Sequence, residues 1–109
     1  MNSPLADPVW LLVMFDLPVL EAEQRRNANA YRKLLLDRGF SRVQLSVYSR
    51  YMINATASIP VLNYLKETVP DDGYVRILQL SDRQWAGGWH LYGSKYLPVE
   101  EPPEQLLLF

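Results

Sequence analysis

The sequence predicts one α+β domain with the element order β-α-β-β-α-β, followed by one more strand. An uninterrupted apolar run at residues 9–15 is typical of a central strand that is buried on both faces. Two later segments repeat their apolar residues with helical spacing, and between and after them apolar and polar residues alternate as in half-buried strands. A chain of 109 residues has room for a single core, so one domain is expected.

The first strand is predicted from Val9 to Asp16, and Pro18 ends it. A carboxylate directly after a buried strand has two possible roles. Asp16 is either held by backbone donors of the next turn or presented to something outside the domain. Residues 1–8 are predicted to be a mobile leader, residues 9–95 the folded domain, and residues 96–109 an extended tail.

Residues 21–38 are predicted to form the first helix, which Gly39 ends. At helical spacing its apolar residues share one side, which must pack on the sheet: Ala28, Ala30, Tyr31, Leu34 and Leu35. The opposite side is basic. It is either an ordinary solvated face or a surface that binds a polyanion, and the shortage of interleaved acids favours the second interpretation.

Phosphate contacts give affinity without reading a base sequence, so basic residues are the natural candidates for them. Between residues 25 and 50 the only acid is Asp37. The candidate DNA-binding residues are Arg25, Arg26, Asn29, Arg32, Lys33, Arg42, Arg50 and Arg76. Arg76 has an alternative role, because it lies inside a predicted strand and is placed to pair with a carboxylate such as Asp16.

Residues 40–53 alternate as a strand, but the alternation loses its phase near residues 48–49. This predicts a bulge or tight bend that splits the segment into two strands. A second helix follows, capped by Thr56 or Ser58 with Pro60 in its first turn, and Pro70 ends it. Its predicted apolar stripe is Ile59, Leu62, Leu65 and Val69.

After a turn at residues 71–73, a strand is predicted at residues 74–80 and a weaker last strand at residues 84–92. The order is that of a ferredoxin-like sandwich with an extra strand. Trp85 and Trp89 make the last strand too apolar to remain on a frayed edge. Adding it to the sheet of a second copy would bury it, which predicts a homodimer.

Composition excludes several classes of site and location. The chain has no cysteine, so it has no disulfide, no thiolate zinc site and no cysteine nucleophile. No apolar run approaches the ~18 residues that a membrane-spanning helix needs, so no membrane partner is expected. A reducing, cytoplasmic location is the expectation that follows.

Five short motifs, in order over residues 9–93, resemble one known family. The sequence is similar to the small CRISPR-associated proteins that work beside the CRISPR integrase, in the branch found with type II systems. The resemblance implies a ferredoxin-like homodimer that is flanked by two integrase dimers and carries the double-stranded middle of the prespacer DNA. The motifs are Met-Phe-Asp-Leu-Pro (14–18), Tyr-Arg-Lys (31–33), Gly-Phe (39–40), Gln-Leu-Ser-Val-Tyr-Ser-Arg (44–50) and Gly-Tyr-Val-Arg-Ile-Leu-Gln-Leu (73–80).

Many members of that family are classed as metal-dependent endonucleases or endoribonucleases. The resemblance then implies that Asp16 is catalytic and binds Mg²⁺ together with its copy across the dimer axis. The sequence near Asp16 offers no second acid, no histidine base and no glycine-rich phosphate loop. The favoured hypothesis is therefore a structural, DNA-binding subunit whose Asp16 mostly satisfies backbone donors at the end of the strand. Whether the chain is an enzyme stays open, and a stand-alone Mg²⁺-dependent endonuclease is the alternative.

The tail is rich in proline and acid at residues 98–104 and should be extended. The following pentapeptide, Gln-Leu-Leu-Leu-Phe, resembles the motif with which bacterial replication and repair proteins dock on the sliding clamp. Docking on the integrase, or back onto the same domain, is the alternative. The candidate docking residues are Gln105, Leu106, Leu108 and Phe109.

Overall fold

A computed structural model of the chain describes residues 6–93 and 95–103. In that part of the chain no helix combines the length and apolar character needed to cross a membrane. The elements, in order, are β1 (Val9–Asp16), α1 (Ala22–Asp37), β2 (Ser41–Gln44), β3 (Val47–Met52), α2 (Ala55–Glu67), β4 (Tyr74–Ser81), α3 (Asp82–Ala86), β5 (His90–Tyr92) and β6 (Lys95–Leu97).

The predicted ferredoxin-like order is confirmed. β1 lies between β3 and β4 in a four-stranded antiparallel sheet with the order β2-β3-β1-β4. Leu11, Val13 and Phe15 alternate along β1 on the face that we call the helix side, where they pack with Tyr31 of α1 and Leu65 of α2. Each buried apolar side chain contributes about 1.5–3 kcal/mol, so this alternating set fixes β1 at the centre of the fold.

The first helix was predicted to within one residue at each end. Gln24 Oε1 accepts a hydrogen bond from the backbone N–H of Glu21, which satisfies a donor at the start of α1. Gly39 ends the helix with a φ of 86°, in the left-handed region that glycine adopts without steric cost. Ala30 was expected to face the sheet but is exposed, because the buried stripe is narrower and contains Ala28, Tyr31 and Leu35.

The predicted split of residues 40–53 into two strands is confirmed, but at a different place. The chain turns at residues 45–46, and the register shifts between Arg42 and Gln44. The expected position near residues 48–49 was wrong because both residues lie inside β3 and are buried, Tyr48 opposite Val13 and Ser49 opposite Leu12. The alternation of apolar and polar residues is lost at this point because side chains on both faces of β3 are buried.

The second helix begins earlier than predicted. Asn54 is its cap, and its Oδ1 accepts a hydrogen bond from Ala57 N at 2.7 Å. Ser58 was a candidate cap but is buried inside the helix, where its hydroxyl donates to the carbonyl of Ala55. Thr56 likewise lies within α2, and Pro60 falls in the second turn rather than the first. Of the predicted stripe, Leu65 is fully buried and Ile59 is exposed.

The predicted strand over residues 84–92 is wrong in its first half. Ser81 and Gln84 form reciprocal hydrogen bonds, Gln84 N to Ser81 Oγ at 3.0 Å and Ser81 N to Gln84 Oε1 at 2.9 Å. This capping box starts the short helix α3, so only residues 90–92 remain as a strand. β5 pairs with β6 in a separate two-stranded sheet.

Candidate functional site

Asp16 is the last residue of β1 and is exposed. The register of the sheet places it opposite Tyr74 of β4, on the side away from α1 and α2. We call this side the open face. It is formed by three residues from each of two strands: Leu12, Met14 and Asp16 of β1, and Tyr74, Arg76 and Leu78 of β4.

The Asp16 carboxylate makes no hydrogen bond or ion pair within residues 6–93 and 95–103. The predicted pairing of Arg76 with Asp16 is not formed, because Arg76 instead donates to the Tyr74 hydroxyl at 3.1 Å. That hydrogen bond raises the pKa of Arg76 above its ordinary value, so the guanidinium stays charged. The backbone donors that were expected to hold Asp16 are therefore not found among the described residues.

The residues around Asp16 provide few ligands for a metal ion. Among the described residues there is no group of three or more histidine, cysteine, aspartate or glutamate side chains able to hold one. Mg²⁺ commonly takes one or two carboxylates together with waters or phosphate oxygens. One chain supplies a single carboxylate here, so a second carboxylate would have to come from another copy.

The open face is covered at one end and exposed at the other. At the covered end Trp85 of α3 stacks on Trp10, with ring centroids 4.9 Å apart and planes 16° apart. The Trp10 indole N–H also donates to Asp82 Oδ1 at 2.9 Å. Towards Asp16, Leu78 is 41% exposed and Tyr74 is 63% exposed. Exposed apolar side chains and the charged Arg76 therefore share the open face next to Asp16.

The hairpin formed by β5 and β6 also exposes large apolar side chains. Leu91 and Tyr96 lie opposite each other in the pairing, with 57% and 77% of their surfaces exposed. Trp89, just before β5, is 81% exposed. An isolated two-stranded hairpin is marginally stable in water. This one, with the residue before it, exposes five large apolar side chains: Trp89, Leu91, Tyr92, Tyr96 and Leu97.

The predicted basic residues of α1 differ in what they contact. Arg26 is exposed and makes no side-chain hydrogen bond within the described residues. Lys33 forms an exposed ion pair with Asp37, with Nζ 3.2 Å from Oδ2. Such a pair contributes little to stability, so Lys33 can exchange Asp37 for a phosphate at small cost. Arg25 has a structural contact, because its Nη1 donates to the carbonyls of residues 19 and 20.

Arg32 is only half exposed. Its guanidinium lies over the ring of Phe15, 5.5 Å from the centroid, and its Nη1 donates to Asn29 Oδ1 at 3.3 Å. Arg32 Nε is buried and has no hydrogen-bond partner among the described residues. Tyr31 packs edge-on against the same Phe15 ring, and burial raises the pKa of its phenol to about 12. Arg32 therefore partly supports the end of β1.

The remaining candidates divide between the two sides of the sheet. Arg42 pairs with Tyr48 and Arg50 pairs with Leu11, and both of these partners face the helices. Arg42 and Arg50 therefore share the helix side with α1. Arg76 pairs with Met14 and lies on the open face, away from the others. Tyr74 pairs with Asp16 and accepts a hydrogen bond from Arg76, but it was not among the predicted site residues. The alternation of side chains along β4 already places Tyr74 on the same face as Arg76.

Comparison with known proteins adds the following. The family model of CRISPR associated protein Cas2 matches residues 9–87. Proteins named CRISPR-associated endoribonuclease Cas2 from Flavobacterium psychrophilum and Paracidovorax avenae are each 34% identical over 101 residues, 93% of this chain and 88% and 94% of theirs. The Treponema denticola protein of that name is 36% identical over 94 residues, 84% of this chain and 93% of its own. A solved structure described as "Crystal structure of cas2" superimposes with a TM-score of 0.57 at 24% identity, covering 89% of this chain and 100% of that one, and agrees with the fold.

Proposed function

Because the chain belongs to the Cas2 family of CRISPR-associated proteins, we propose that it is a structural, double-stranded-DNA-binding subunit of the complex that integrates new spacers. In this role a dimer of the chain bridges two dimers of the CRISPR integrase. It holds the prespacer duplex between them and so sets the distance between the two integration centres.

The observation that carries this proposal is the basic helix side of the sheet. Arg26 and Lys33 of α1 are exposed there, and the register puts Arg42 and Arg50 on the same side. Long basic side chains on one surface bind the phosphate backbone whatever the base sequence. A subunit that captures spacers of arbitrary sequence needs this kind of binding.

The proposed homodimer uses the opposite side of the molecule. Exposed apolar side chains lie both around Leu78 on the open face and on the β5–β6 hairpin, so the two surfaces could pack against each other. In addition, β4 is an edge strand, which leaves backbone groups along its outer side available for pairing. A second copy that placed its hairpin against this face would cover both surfaces. The two Asp16 carboxylates would then approach each other, with the basic sides directed outward.

A Mg²⁺-dependent endonuclease that cleaves RNA or DNA is the second candidate. It is favoured by the exposed Asp16 carboxylate, which has no partner among residues 6–93 and 95–103, and by the endoribonuclease names of the relatives. In a dimer, two Asp16 carboxylates would be the residues that hold Mg²⁺, and the ion would supply charge stabilisation at a phosphodiester. Among the described residues no group of three or more histidine, cysteine, aspartate or glutamate side chains could hold a metal ion, so we rank this activity second.

Reconstitution with the purified integrase tests the proposal. We expect integration of a duplex prespacer to require this chain, and the chain alone to bind the duplex without cleaving it. The measurement is the yield of integrated product with and without the chain, alongside cleavage of labelled RNA and DNA in Mg²⁺. Cleavage by the chain alone, combined with integration that does not depend on it, would favour the endonuclease instead.

A further inference from the structure

A cavity beside α1 is not used by the proposed function. It lies between α1 and the loop that joins α2 to β4, opens to solvent and has a volume of about 340 Å³, with Tyr31, Leu34, Val69 and Asp71 among its walls. We propose that this cavity binds an arginine side chain that a partner protein presents in a basic segment. The predicted docking residues of the tail, at positions 105–109, lie outside the described residues and play no part in it.

The Tyr31 hydroxyl distinguishes this cavity from an ordinary acidic surface. Tyr31 is 2% exposed, and its hydroxyl has no hydrogen-bond partner among the described residues. Buried polar groups are nearly always paired, so an unpaired one calls for a partner. The other buried side-chain atom in this state within residues 6–93 and 95–103 is Arg32 Nε, whose guanidinium already lies over the Phe15 ring. The cavity therefore has a polar group in its wall that a guest can satisfy.

The chemistry of the wall suits a charged donor on a long stem. Burial raises the pKa of the Tyr31 phenol to about 12, so the phenol is neutral at physiological pH and its oxygen can accept a hydrogen bond. Because the hydroxyl is buried, a donor reaches it only at the end of a long and narrow side chain. Leu34 and Val69 supply apolar surface for the methylene groups of such a stem.

The charge around the cavity selects a cation. Asp71 is exposed and forms no ion pair with the described part of the chain. A second cavity, of about 200 Å³, adjoins the first, because Asn27, Pro70 and Asp71 line both. No lysine or arginine occurs among the described residues that line the two cavities. A guanidinium fits this surface, since its five donors can serve a carboxylate and a hydroxyl together. The second cavity adds three further acids, Glu21, Glu23 and Asp72.

The loop that carries Asp71 is held in place. The backbone N–H of Gly73 donates to the carbonyl of Pro70 at 2.8 Å, which closes a turn around Asp71 and Asp72. A Cβ at Gly73 would lie 2.5 Å from Leu17 Cδ2, so this turn packs closely against the residue that follows β1. The carboxylates are thus positioned before a partner arrives, which lowers the ordering cost of binding.

Titration of the isotope-labelled chain with the blocked tripeptide Gly-Arg-Gly, followed by NMR, tests the inference. We expect saturable shifts of the backbone amide signals of Asn27, Tyr31 and Asp71. The same tripeptide with citrulline in place of arginine keeps the shape and loses the charge. It should bind at least about tenfold more weakly, because hydrogen bonds from a charged donor are the stronger ones.

Two variants separate the hydroxyl from the charge. Tyr31→Phe is expected to weaken binding of the arginine tripeptide about tenfold and to leave the midpoint of thermal unfolding unchanged or higher, because the hydroxyl has no partner in the free chain. Asp71→Asn should weaken binding by a similar factor. Asp7→Asn is its matched control, since Asp7 is an exposed acid just before β1, at the opposite end of that strand and roughly 25 Å away. This control should bind like wild type.

Three results would overturn the inference. The first is the absence of saturable shifts at the cavity, and the second is equal binding of the citrulline tripeptide or tighter binding of spermidine. The third is a Tyr31→Phe variant that binds the arginine tripeptide like wild type. The inference does not depend on the DNA-binding proposal, because Asn27 and Leu34 are each turned about 100° around α1 from Arg26 and Lys33. The Arg26→Glu, Lys33→Glu variant should therefore bind the tripeptide like wild type.

Discussion

Reversing two exposed charges of α1, Arg26→Glu together with Lys33→Glu, is expected to weaken binding to duplex DNA by about ten- to a hundredfold at about 0.1 M salt. Both side chains are exposed, and neither supports the core, since Arg26 has no side-chain partner in the described residues and Lys33 has only Asp37. In a dimer four phosphate contacts would be lost, so the slope of log affinity against log salt should fall by about four. Fluorescence anisotropy across a salt series measures both quantities.

The matched control is Lys66→Glu with Arg83→Glu, which makes the same change in net charge away from α1. Lys66 is an exposed residue in the last turn of α2, and Arg83 is an exposed residue of α3. We expect this variant to bind duplex DNA within a small factor of wild type. If both variants lose the same affinity, only the total charge matters, and the proposed phosphate contacts of Arg26 and Lys33 are wrong.

A single substitution on the open face, Leu78→Arg, is expected to convert the proposed dimer into monomers. Leu78 is partly exposed in one chain and lies on the face where we place the second copy. Burying an unpaired guanidinium there would cost about 3 kcal/mol or more, which raises the dimer dissociation constant by roughly a hundredfold. Light scattering coupled to size-exclusion chromatography measures the mass of wild type and variant.

Ile59→Arg is the control for this substitution. Ile59 is similarly exposed but lies on α2, on the helix side, so the same change in size and charge should leave the dimer intact. A dimer that survives Leu78→Arg would exclude the open face as its interface. Loss of the dimer in both variants would point to general destabilisation, which circular dichroism of the monomers would show.

Most of the fold could be predicted because local chemistry and packing agree. The apolar run before Asp16 identifies β1 as central, and the spacing of Tyr31 and Leu35 on α1 is that of a helix packed on a sheet. The failures have local causes. The capping box at Ser81 and Gln84 was missed, and it converts the start of an expected strand into α3.

The site was predictable only in part, because its arrangement depends on strand register. The sequence singled out Asp16 and the basic residues as candidates, but it did not separate Arg76, on the open face, from Arg42 and Arg50 on the helix side. It also gave no sign that Arg25 holds the carbonyls of the preceding loop. Such contacts depend on loop geometry, which side-chain periodicity does not encode.

The central claim is that the chain acts as a DNA-binding structural subunit and that its contribution to integration is not catalysis by Asp16. The most direct measurement is the yield of integrated prespacer in the reconstituted reaction with the Asp16→Ala variant. The account predicts the same yield as wild type, since Asp16 is exposed and its side chain makes no hydrogen bond or ion pair with the described residues. Loss of integration by an Asp16→Ala variant that still dimerises and binds duplex DNA normally would contradict it.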